Sequence, residues 1–106
     1  EECRYIMGKT NKNISMLLDV GHLKVSSKTL NFRAANMFYE CEKWIKAYHL
    51  SDNDGFSDQN QPFRVNSWFW KYLDSKVKFS TIEVYNIKIK HLKFLYNLTC
   101  NKLLNN

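Results

Sequence analysis

The sequence predicts an α/β chain built from three βα units around a parallel sheet. Short apolar runs alternate with stretches of helical periodicity, the pattern that places helices against parallel strands. The first strand-like run is apolar almost throughout, as a strand covered on both faces must be. Neither an internal repeat nor a linker divides the chain, so residues 1–106 read as a single unit.

Residues 1–10 read as the end of a helix, broken by Gly8 and the polar run from Lys9 to Asn13. The first strand is predicted over 14–20, followed by a loop containing Gly21, Ser26 and Ser27. Ala34, Met37, Phe38, Cys41 and Trp44 recur at helical spacing, which predicts an amphipathic helix over 33–44. A second strand follows over 45–50. Residues 51–66 form a long polar loop, and loops beyond about 12–15 residues without structure of their own are usually functional. Ser67 suits the cap of a short aromatic helix over 68–75, with Trp68, Phe69, Tyr72 and Leu73 on its buried face. The third strand is expected over 78–85. The last helix is expected over 88–104, with Ile89, Leu92, Tyr96, Thr99 and Leu103 on one stripe.

Three strands do not make a closed fold. An open parallel sheet of this size leaves two edges that invite association, and a (β/α)8 barrel needs eight strands to close. The chain is therefore expected to be the last three βα units of something larger, with the earlier strands in an N-terminal segment. A first residue other than Met points the same way.

Composition narrows the function classes. No apolar run approaches the ~20 residues needed to cross a bilayer, and the polar start carries no apolar leader core, so no membrane partner is expected. The net charge of +6 comes mostly from scattered Lys, which reads as a solvated surface rather than a nucleic-acid footprint. Cys3, Cys41 and Cys100 are odd in number and widely spaced, which predicts reduced thiols and a cytoplasmic setting.

The polar residues at the strand ends carry the chemistry. The first strand delivers Asp19, with His22 three residues on; the second delivers His49, then Asp52 and Asp54; the third carries Glu83. Strand C-termini of a parallel barrel open on one face, where active sites are built. Three such groups on successive strands would converge, and a divalent cation holds clustered carboxylates through O/O/N ligands at roughly 2.0–2.2 Å. Each residue also has a plainer use: Asp19 suits a turn cap, and a lone strand-end His is commonly hydrogen-bonded. Glu83 is harder to place otherwise, because a carboxylate between Ile82 and Val84 is costly unless paired or metal-bound.

The run Leu18-Asp19-Val20-Gly21-His22, then His49-Leu50-Ser51-Asp52-Asn53-Asp54 and Thr81-Ile82-Glu83-Val84, resembles the xylose-isomerase-like TIM barrels. That superfamily includes sugar phosphate isomerases and epimerases and the apurinic endonucleases. The resemblance runs from about Met16 to about Tyr85 and implies the C-terminal three βα units of a TIM (β/α)8 barrel. It implies Asp19, His49 and Glu83 as three of four ligands of the family's principal metal (Mn, Mg, Co or Zn), with the fourth, a Glu, on the preceding strand. His22 is similar to the family's substrate-contacting histidine.

The resemblance further implies a sugar pocket touched by His22, Asp52 and Asp58, with Arg64 or Lys24 meeting a phosphate. Asp58-Gln59-Asn60-Gln61-Pro62 is similar to the family's D-x-H-x-P loop, except that Asn60 stands where His is frequent, and Arg64-Val65-Asn66 replaces a Gly-Glu-Gly. Both departures favour a metal-dependent sugar isomerase or epimerase over a zinc phosphodiesterase acting on abasic DNA. In such an isomerase two Glu residues pass a proton next to a carbonyl through an enediolate, and Glu83 would be one of them, with His22 orienting a hydroxyl. With half of that pair elsewhere, this piece is expected to be inactive alone. A non-catalytic orphan barrel fragment is the remaining reading.

Overall fold

The structure, a computed structural model, describes residues 1–104. Its elements run in the order α1 (Glu2–Lys9), β1 (Met16–Asp19), α2 (Val20–Thr29), α3 (Ala34–Cys41), β2 (Ile45–Leu50), β3 (Phe79–Ile82) and α4 (Ile89–Leu104). The three strands form one sheet in the order β1-β2-β3, and both neighbouring pairs are parallel. The α/β class and parallel sheet expected from the sequence are therefore present.

Register explains which residues share a face. Leu17 pairs with Ala47 and Ala47 with Phe79; one step on, Leu18, Tyr48 and Ser80 align; the next row is Asp19, His49 and Thr81. Successive side chains point to opposite faces of a sheet, so the Leu17 row and the Asp19 row share one face and the Leu18 row takes the other. The helices cover that other face. Leu18, Tyr48 and Leu50 are buried there with Val20 and Leu23 of α2, Phe38 and Cys41 of α3, and Leu95 and Leu98 of α4. Phe63 and Phe69, from the long connection after β2, complete the cluster. Full burial of each such apolar side chain contributes about 1.5–3 kcal/mol.

The face that carries Asp19 and His49 is uncovered. Leu17 is 49% exposed and Phe79 is 68% exposed, whereas parallel sheets normally bury both faces. The sheet thus has one helix-covered side, one bare side and two open edges.

The elements differ from expectation in places with identifiable causes. The first strand is four residues, not seven, because Asp19 caps a helix: its Oδ1 accepts the His22 N–H at 2.9 Å. Val20 to Thr29 is accordingly helical where a loop was expected. Gly21 permits that first turn to lie against β2, since a Cβ there would collide with the Ser51 Oγ. The helix expected over 33–44 ends at Cys41 and tightens into a 3-10 turn, Glu42–Trp44. The second strand has the expected limits.

The helix expected over 68–75 is only a 3-10 turn, Trp70–Tyr72. Aromatic packing overrides periodicity there. Trp68 and Tyr72 lie against Phe38, while Phe69 and Trp70 lie against Phe63, a division that one short helix face would not allow. Ser67 is no helix cap; its Oγ accepts from the Arg64 N–H and donates to Asp52. The third strand is Phe79–Ile82, so Glu83 lies just past its end, although its N–H still reaches the Leu50 carbonyl at 3.0 Å. In α4 the buried stripe is Leu95, Leu98 and Thr99, with Ile89 and Tyr96 turned outward. The three cysteines are free, and burial, with Cys3 nearby, pushes the Cys41 thiol above its ordinary value. No helix among the described residues is long and apolar enough to cross a membrane.

Candidate functional site

At the C-terminal end of the sheet, Asp19, His49 and Glu83 each offer one ligand atom, and these atoms lie within 4.8 Å of one another. β1 ends in Asp19 and β2 carries His49 beside it in register, on the same face. Glu83 sits two residues beyond Thr81, the neighbour of His49 on β3. The His49 Nδ1 is 3.2 Å from the Glu83 Oε2 and 3.7 Å from the Asp19 Oδ2. All three side chains are partly buried, Asp19 most deeply at 13% exposure.

The 3.2 Å separation is that of neighbouring donors on one cation, and the 3.7 Å separation is wider. With metal–donor bonds near 2.1 Å, neighbouring donors stand ~3.0 Å apart in an octahedral site and ~3.4 Å apart in a tetrahedral one. Two carboxylates and an imidazole are the hard-to-borderline donors that divalent Mn, Mg, Co or Zn accept. Asp19 serves twice, capping α2 through Oδ1 while Oδ2 faces the two histidines. The rigid start of α2 thereby fixes one ligand of the set.

His22 stands beside this trio. Its Nδ1 meets the Asp58 Oδ2 at 2.7 Å and its Nε2 lies 3.7 Å from the Asp19 Oδ2. Asp58 therefore orients an imidazole that is otherwise solvent-facing, at 61% side-chain exposure. The other residues singled out from the sequence are not in the cluster. The Asp52 carboxylate accepts from Lys24, at 2.7 Å, from the Asn53 N–H and from Ser67. Lys24 also donates to the Asn53 carbonyl, so it serves as an anchor for the loop. Arg64 is exposed; its N–H donates to Ser67 and its carbonyl accepts from the Trp70 indole.

Residues 51–66 contain no helix or regular strand, as expected, but they are tightly held. Asp52 and Gln61 exchange both backbone hydrogen bonds at 2.8 Å, closing a loop between them. Inside it the Asp54 carboxylate accepts the N–H groups of Phe56 and Ser57, which holds its carboxyl below the usual range. Asn53 and Asn60 are buried within this arrangement and were not anticipated as site residues. The density of Asn and Asp in the loop was the available signal, because these side chains bond nearby backbone in turns.

The three side chains keep 13–31% of their surface exposed, so the cluster is reached by solvent. Grooves of about 540 Å³ and 770 Å³ lie elsewhere, the first beside Ser67, Trp70 and Lys71 and the second along α1. No family model, curated protein or solved structure matches the chain.

Proposed function

We propose that Asp19, His49 and Glu83 bind one divalent cation, and that the chain is the metal-bearing part of a sugar or sugar-phosphate isomerase or epimerase. In this reading the three strands are the last three of a xylose-isomerase-like (β/α)8 barrel. The observation that carries it is the placement of three ligand atoms, from the ends of three adjacent parallel strands, within 4.8 Å of one another. Exposed Leu17 and Phe79 on the face that carries Asp19 and His49, and two open strand edges, support a sheet that other strands complete.

When bound, the cation supplies Lewis-acid stabilisation of the negative charge that develops beside a carbonyl. The protein's own groups do the rest. In this reading Glu83 takes a proton from the carbon next to that carbonyl through the carboxylate oxygen that does not hold the cation. Asp19 and His49 keep their places through the α2 cap and the strand register. His22, held at Nδ1 by Asp58, presents Nε2 to a substrate hydroxyl. Positioned proton transfer of this kind contributes about 10²–10⁴-fold, and a face open to water cannot exclude solvent from the reaction. The chain alone is accordingly expected to bind metal without turning over sugar.

Calorimetric titration of the chain with Mn²⁺ tests the site. One ion per chain is expected, and Glu83→Gln should weaken it beyond the roughly 10–100-fold that loss of an outer-shell partner costs. Failure to bind, or unchanged affinity in the variant, would remove the basis for the reading. Three zinc ions per chain would instead favour the phosphodiesterase, with His22 and Asp58 as further ligands.

A further inference from the structure

We infer that Asn60 is a positioning residue for Glu83, and that the loop from Asp52 to Gln61 is a strap holding both flanks of the site; this rests on the metal-site reading. Glu83 lies beyond the end of β3, so strand pairing holds it only through its N–H on the Leu50 carbonyl. Asn60 provides the other restraint. Its side-chain Nδ2 donates to the Glu83 carbonyl at 2.9 Å, and its own carbonyl accepts the Tyr85 N–H at 3.0 Å. One residue thus grips the chain on either side of Val84.

The backbone of Asn60 is shaped for this. Its φ of 48° is left-handed, a region that Asn tolerates better than most residues and Gly tolerates best. The residue is 6% exposed, so its amide is withdrawn from water and one N–H of its Nδ2 is spent on the Glu83 carbonyl. The strap itself is anchored at its base, where Asp52 and Gln61 pair, where Lys24 reaches Asp52, and where the Asn53 amide donates to the Gly21 carbonyl. Two residues before Asn60, Asp58 orients His22. The strap therefore links α2, which carries His22, to the segment that carries Glu83.

Asn60→Gly isolates the side chain, since glycine keeps the left-handed backbone, and Asn60→Asp keeps the shape while losing the donor. Mn²⁺ affinity should fall about 10-fold in either variant, as for other outer partners of ligands. In a Glu83→Gln background the same substitutions should change affinity less than about twofold, because coupling is confined to residues that share a contact. In amide exchange, Glu83 and Tyr85 should lose protection about 10-fold in Asn60→Gly, with Leu18 and Tyr48 unchanged. Should the unaltered chain bind no Mn²⁺, the metal reading falls and the exchange result alone decides the strap. Unchanged exchange at Glu83 and Tyr85, or an equal affinity loss in both backgrounds, overturns the inference.

Discussion

His49→Ala should leave the chain unable to bind Mn²⁺ at millimolar concentration. His49 is the central member of the trio, 3.2 Å from Glu83 and 3.7 Å from Asp19. Its loss removes the nitrogen donor of the trio and leaves two carboxylates. His49 lies on the bare face of the sheet, however, and the apolar cluster on the opposite face is untouched by the change. Far-ultraviolet circular dichroism of the variant should therefore remain that of the parent while calorimetry shows no binding heat. Retained affinity would mean that the cation, if any, is held elsewhere.

Phe69→Ala should have the largest effect on stability, about 3–5 kcal/mol, the range for truncating a buried aromatic. Phe69 is fully buried and packs edge-on against Phe63, with ring centroids 5.7 Å apart. It belongs to no long helix or strand; residues 63–73 are held by this aromatic packing together with a 3-10 turn and a few local hydrogen bonds. Stabilities of small domains are commonly 5–15 kcal/mol in total. A loss of this size should lower the urea midpoint by roughly 1–5 M, followed by Trp fluorescence. A cost below about 1 kcal/mol would mean that the connection is not part of the core.

The contrast between these sites explains what could be read from the sequence. The strand over 45–50 was legible to the residue because its apolar character and its position between two helical stretches left no alternative. Asp19, His49 and Glu83 were expected to converge because they stand on three successive parallel strands, and their ligand atoms do lie within 4.8 Å of one another, although Glu83 falls past the end of its strand. Helix α2 was not legible: Ser26, Ser27 and Gly21 read as loop residues, and it forms because Asp19 caps it and Val20 and Leu23 bury against the sheet. The aromatic run over 68–75 misled in the opposite direction, since helical spacing was present but the rings divide between Phe38 and Phe63. The outward turn of Ile89 and Tyr96 in α4 had no local signal at all; which side of that helix meets the sheet is set by the packed neighbours of Leu95 and Leu98.

Asn60 belongs to the same class. A polar residue in a polar loop gives no sign of burial, and its role depends on the distant closure between Asp52 and Gln61. Tertiary contacts decided these cases, and for Asn60 the density of Asn and Asp in the loop was the single compositional hint.

Anomalous diffraction from crystals grown with Mn²⁺, recorded at the manganese edge, tests the proposed metal site directly. A single peak about 2.0–2.3 Å from one atom each of Asp19, His49 and Glu83 is the expected result. A saturating ion found elsewhere on the molecule, or density showing His49 bonded to the two carboxylates with no peak between them, would contradict it.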